Sequence, residues 1–86
     1  MIDDDRTLVA QLSALAQSTR LRAFKTLIRA GAEGMAAGQL ATSLDVAPNT
    51  LSAHLNILQR SGLIRHKRDG RSVIYSVEIN EVSSMI

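Results

Sequence analysis

The sequence predicts a mainly α-helical domain that carries a small β-hairpin wing. Three observations predict it. Apolar residues recur at helical spacing through most of residues 5–61. The composition is 45% hydrophobic but only 2% aromatic, so the core is built from Leu, Ile, Val and Ala, and Ala and Leu are strong helix formers. Past residue 61 the pattern changes. The runs L-I-R-H-K-R (63–68) and R-S-V-I-Y-S-V (71–77) flank Asp69-Gly70, a strong signal for a two-residue hairpin.

The first helix is read over residues 5–16, with Leu8, Leu12 and Leu15 in phase and Val9 and Ala16 beside them. Asp3, Asp4 and Asp5 precede it and suit the positive end of the helix dipole. Ser18-Thr19 interrupt the pattern, and either hydroxyl suits the cap of a second helix. That helix presents Leu21, Phe24, Leu27 and Ile28 as its apolar face and stops at Gly31. Ala32 to Met35 is a loop or a short extended segment. A short helix then runs from Ala37 to Leu44 with Leu40, Ala41 and Leu44 inward. Asp45 stands where the chain must turn sharply, and Asp tolerates the left-handed conformation better than most residues. Pro48 fits the first turn of a fourth helix, where its missing N–H costs nothing. Short helix, tight turn and second helix make a helix-turn-helix over about residues 37–61.

The fourth helix divides into faces. At about 100° per residue, Leu51, Leu55 and Leu58 fall together and point inward. Opposite them lie Asn49, Ser52, Ala53, Asn56 and Arg60. That face is short, hydrogen-bonding and, before Arg60, uncharged, whereas a merely solvated face more usually carries Glu and Lys pairs. It is read as a surface for a DNA groove, with plain solvation as the alternative. In the hairpin, about 63–77, Val73, Tyr75 and Val77 alternate with Ser72, Ile74 and Ser76. Cations gather near its tip, which describes a wing and not a core hairpin. The last segment, Ile79 to Ile86, places Val82 at helical spacing and is too short to stand alone.

Composition narrows the function classes. The 86 residues form one domain, which buries about 60–65% of its unfolded surface. A core this poor in aromatics often needs a second subunit to finish burying its apolar faces. No apolar run approaches the ~18 residues of a membrane span. The acidic N-terminus is unlike the basic start of a signal peptide, so the expected location is cytoplasmic. Cysteine is absent, which removes disulfides, thiolate metal ligands and cysteine nucleophiles. Net charge is only +2, but Arg60, Arg65, Lys67, Arg68 and Arg71 crowd one stretch against Asp69 alone. A second group, Arg20, Arg22, Lys25 and Arg29, lies on the second helix. Basic residues concentrated this way are the footprint of a polyanion partner. His54 flanks a buried face and is read as packing or hydrogen-bonded; His66 stands alone in the wing and is read as a phosphate contact or as exposed. No ligand spacing, nucleophile–base pair or phosphate loop points to an enzyme, a metal or a cofactor.

The segments L-A-Q-S-T-R-L-R-A-F-K-T-L (15–27), Q-L-A-T-S-L-D-V (39–46), N-T-L-S-A-H-L-N-I-L-Q-R-S-G-L-I (49–64) and R-D-G-R-S-V-I-Y (68–75) resemble the ArsR/SmtB family of bacterial repressors. The resemblance covers about residues 8–78 in order and without large gaps. It implies a winged helix-turn-helix homodimer on a palindromic operator, closed through its first and last helices. Leu8, Leu12 and Val82 are the matching interface positions. The chain departs from the family in several places. Gln17-Ser18 replaces the frequent Asp-Pro at the second helix, Met35-Ala36-Ala37-Gly38 replaces the Cys-x-Cys of metal sensors, and the last segment offers Glu81 but no His. The metal and thiol chemistries of the family therefore do not carry over. The short last segment implies either a minimal domain or a truncated chain.

Together these readings predict a sequence-specific repressor. Asn49, Thr50, Ser52, Ala53 and Asn56 face base edges in the major groove. Lys67, Arg68 and Arg71 hold phosphates, and Gln39 and Arg20 anchor the backbone. The expected partners are double-stranded DNA, a second copy of the chain and an effector of unidentified chemistry, with no membrane. The alternative is a winged-helix protein–protein interaction module whose DNA face is idle.

Overall fold

The computed structural model describes residues 2–78. Four helices, α1 (Ile2–Leu15), α2 (Ser18–Ala30), α3 (Ala37–Leu44) and α4 (Pro48–Arg60), pack with three short strands, β1 (Met35–Ala36), β2 (Ile64–Asp69) and β3 (Ser72–Val77). The expected Val82 and the rest of the last segment lie outside the described residues. Among the described residues no helix is long and apolar enough to cross a membrane.

The cap of α2 differs from expectation. Gln17, not Ser18 or Thr19, is the N-cap: its backbone is extended, and its Oε1 accepts the Arg20 N–H at 2.9 Å. Both hydroxyl residues already belong to the helix, and the longer Gln side chain reaches the third N–H from outside. The apolar face of α2 also shifts. Ala23, Phe24 and Leu27 are buried, whereas Leu21 and Ile28 stay 41% and 49% exposed. Leu21 and Ile28 sit roughly 90° or more around the helix from the centre of the buried stripe, beyond the reach of α3 and α4. On α1, Ala14 and Gln11 turn inward, while Leu8, Val9 and Leu12 are exposed.

The turn between α3 and α4 closes as the sequence indicates. Asp45 adopts the left-handed conformation (φ 55°, ψ 50°), and the Val46 N–H reaches the Ala41 carbonyl at 3.0 Å. Helix α4 ends in the same way. Gly62, at φ 83°, lets the Leu63 N–H bond the Leu58 carbonyl at 3.1 Å and its own N–H bond Gln59 at 3.0 Å. Leu58 and Leu63 are both fully buried, so the apolar contact that accompanies this stop also delivers the chain to the sheet.

The wing is a sheet of three strands among the described residues, not a hairpin alone. β1 pairs antiparallel with β3, Met35 opposite Tyr75 and Ala36 opposite Ile74, giving the order β1-β3-β2. Gly34 makes that approach possible. It sits at φ 70°, ψ −161°, and a Cβ there would collide with the Tyr75 carbonyl oxygen. The hairpin loop is displaced by one residue from expectation. Asp69 pairs with Ser72, so Gly70-Arg71 forms the loop. Gly70, at φ 63°, occupies the first loop position, where a type II′ turn calls for glycine.

The core lies where the helices meet the base of the sheet. Leu40, Ala41 and Leu44 of α3 and Leu51, Leu55 and Leu58 of α4 are buried as their spacing predicts, and Leu63, Ile64 and Val77 continue it. Each fully buried leucine contributes about 1.5–3 kcal/mol. This packing holds the outer face of α4 toward solvent.

Candidate nucleic-acid interface

Asn49, Thr50, Ser52, Ala53 and Asn56 are all exposed on α4. Asn49 Oδ1 accepts the Thr50 N–H at 3.2 Å at the start of the helix. Ser52, Ala53 and Asn56 form one wall of a groove of about 410 Å³ whose remaining lining is Gln59, His66 and Tyr75. Helix and wing are thus the two sides of one surface. They are also bonded: His66 Nδ1–H donates to Gln59 Oε1 at 2.7 Å, and the His66 ring tilts against Tyr75 at 5.8 Å. His66 is therefore not alone in the wing. Its partner Gln59 is the residue the sequence reading passed over; it lies within about 20° of Ser52 on the helical wheel, at the edge of the face that turns toward the wing.

Strand register sorts the wing cations. Side chains alternate across a strand, so Ile64, His66 and Arg68 share a face with their partners Val77, Tyr75 and Val73. Arg65, Lys67 and Asp69 occupy the other face with Ser76, Ile74 and Ser72. Arg68 consequently extends the groove wall that His66 and Tyr75 begin, Arg71 sits in the turn, and Lys67 points to the opposite side. All three are exposed, and among the described residues none meets an acid; the ion pair seen in the wing is Arg65–Glu78 at 3.9 Å.

The two residues expected to anchor the backbone have other bonds. Arg20 is half-buried: its Nε donates to the Ala14 carbonyl and its Nη1 to His54 Nδ1 at 3.5 Å, bracing α1, α2 and α4. Because Arg has only donors, this bond makes His54 Nδ1 an acceptor. Gln39 is exposed at the start of α3, and its Oε1 accepts the Ala36 N–H at 3.3 Å. No group of three or more His, Cys, Asp or Glu able to hold a metal occurs among the described residues.

Comparison with known proteins places this arrangement. A model of the helix-turn-helix domain matches residues 15–67, more than half of the chain. Transcriptional activator HlyU of Vibrio cholerae serotype O1 is 31% identical over 78 residues, which span 91% of this chain and 69% of that protein. The transcriptional repressor SmtB homolog of Synechocystis is also 31% identical, over 98% of this chain and 61% of its own length. The chain belongs to the ArsR/SmtB family. A solved structure of HlyU from Vibrio cholerae N16961 superposes with a TM-score of 0.85 at 28% identity, covering 99% of this chain and 89% of that one. The homodimeric winged helix-turn-helix DNA-binding domain of Mb0332 from Mycobacterium bovis gives 0.79 at 25% identity, covering 98% and 72%. This ArsR/SmtB member is a DNA-binding transcription regulator with the winged helix-turn-helix fold, and its family is not one of enzymes. Because one relative is named an activator and another a repressor, family membership leaves the sign of regulation open.

Proposed function

We propose that this chain is a sequence-specific repressor that binds a palindromic operator as a homodimer, with residues 1–86 acting as one winged helix-turn-helix unit in the cytoplasm. The observation that carries the reading is the single surface made by an uncharged, hydrogen-bonding helix face and a cationic wing. Asn49, Thr50, Ser52, Ala53 and Asn56 read base edges: an Asn amide pairs bidentately with adenine, and the small Ala53 lies against a thymine methyl. Arg68 and Arg71 hold phosphates, and Lys67, on the opposite face of the strand, adds charge to the wing without a direct contact. Gln39 and Arg20 act at the margin, where their intramolecular bonds position the helices that meet the backbone. Leu8 and Leu12, exposed on α1, close the dimer together with Val82. Two α4 helices related by a dyad then read half-sites about 34 Å apart.

Repression follows from occupancy alone, since a bound dimer blocks a promoter without a surface for polymerase. The chain has no cysteine, and the release signal is read as neither thiol nor metal chemistry. The test joins binding to sign. Asn56→Ala and Ser52→Ala are expected to change site preference by about 1–3 kcal/mol at individual base pairs of a duplex taken from upstream of its own gene. Uniform weakening on every sequence would make both of them positioning residues. A reporter on the same promoter should rise when the gene is deleted; a fall would identify an activator.

A further inference from the structure

Arg22, Lys25 and Arg29 lie at i, i+3 and i+7 along α2, a helix with no acidic residue. One face therefore carries three cations. They border a cleft of about 280 Å³ against the end of α3, where Ser43 and Leu44 form the opposite wall. Arg22 Nη2 donates to the Leu44 carbonyl at 3.1 Å, which satisfies one acceptor left open at the end of α3. Lys25 and Arg29 have no such employment. Both are exposed, and among the described residues neither meets an acid or a hydrogen-bond acceptor. Lys25 and Arg29, four residues apart, repel one another, and the pair serves no contact within the fold among the described residues.

We propose that this α2–α3 cleft is a further phosphate contact on DNA, taken by a backbone phosphodiester flanking the segment that α4 and the wing cover. The inference rests on the DNA-binding reading above. Leu44 directly precedes the Asp45–Ala47 turn that leads to Asn49 and Thr50, so the cleft lies at the edge of the helix-turn-helix. Its chemistry suits a polymer. Long, exposed cations in an open cleft give a small anion little preorganisation, whereas each duplex phosphate they neutralise releases counterions.

The test uses a K25Q/R29Q double variant of the full chain and three probes: a 40-base-pair duplex of random sequence, the duplex the wild type selects from a random library, and inorganic phosphate. Arg22 is left intact because it also holds Leu44. On the random duplex, the slope of log affinity against log salt should flatten by about 1.8 per protomer, ~0.9 for each of two lost contacts. On the selected duplex the same change should appear when flanks are present and vanish when they are trimmed to the protected core. The melting temperature should change little, because the repulsion relieved offsets the loss of Arg29 from the last turn of α2. An unchanged slope on the random and flanked duplexes overturns the proposal. So does an unchanged slope accompanied by a lower melting temperature, which would make the stripe structural. Phosphate-induced shifts of cleft resonances that the variant abolishes, with the DNA slope unchanged, would assign a small-anion site instead. Failure of the library to yield any preferred sequence would count against sequence-specific reading alone, since the random duplex still reports on the cleft.

Discussion

Lys67 and Arg68 are adjacent in sequence, equally charged and both exposed, yet strand register sends them to opposite faces of the wing. Neutralising each in turn therefore separates position from charge. Arg68→Gln removes a cation from the face that His66 and Tyr75 turn toward α4. Lys67→Gln removes one from the face shared with Ile74 and Asp69. Each lost phosphate contact flattens the salt slope by about 0.9. Between 50 and 200 mM salt, one contact thus accounts for a ~3.5-fold change in affinity, and the symmetric pair in a dimer for ~12-fold.

Fluorescence anisotropy on one duplex across that salt range measures the effect. The Arg68 variant should lose less affinity with salt than the wild type by about that factor, and the Lys67 variant should follow the wild type closely. Since neither side chain packs against the core, melting temperatures should agree and exclude a folding artefact. Equal flattening by both variants would show that the pleat does not decide which cation meets DNA. No flattening by Arg68→Gln would remove Arg68 from the phosphate contacts.

Three further outcomes test the fold that presents this surface. Leu55→Ala should cost about 2–5 kcal/mol in chemical denaturation, because Leu55 is 1% exposed at the centre of the helical contact; a neutral result would mean that the inward face of α4 is misassigned. Gly34→Ala should cost about 1–3 kcal/mol from backbone strain, with the collision against the Tyr75 carbonyl added, and undiminished stability would show that β1 does not close on β3. Leu12→Glu places a charge on a leucine that is 53% exposed on α1; sedimentation should report a monomer, and a persistent dimer would place the subunit contact elsewhere.

The helix-turn-helix was legible because its signals are local. Asp45, Pro48 and Gly62 each impose a backbone state on their own position, so α3 and the start and stop of α4 follow from neighbours in sequence. The third strand was legible only as one reading of Ala32 to Met35, a short extended segment, and its pairing was not. Two residues carry no periodicity, and Met35 finds Tyr75 only after the chain has folded. The hairpin loop was misplaced by one residue because Asp-Gly and Gly-Arg are both acceptable turn pairs, and pairing of Asp69 with Ser72 selects the second. For the candidate site, the exposed positions on α4 followed from helical phase. The sorting of Lys67 from Arg68 required the register, and the use of Arg20 inside the fold required the position of His54.

The bond between Gln59 and His66 bears on how such a surface discriminates. A neutral hydrogen bond contributes only about 0.5–1.5 kcal/mol, and an exposed one lies near the lower end, so its effect is on orientation more than on stability. Ser52, Asn56 and Gln59 stand at i, i+4 and i+7 along one line of α4. Tying the far end of that line to the wing holds the helix face and Arg68 at a set separation before DNA arrives. Ordering cost on binding is then lower than for an independent loop. In the proposed binding mode, a duplex whose bases suit α4 but whose backbone cannot also reach the wing loses both contacts at once, so base readout on the helix and phosphate contact on the hairpin, separate in sequence, act as one test of the DNA.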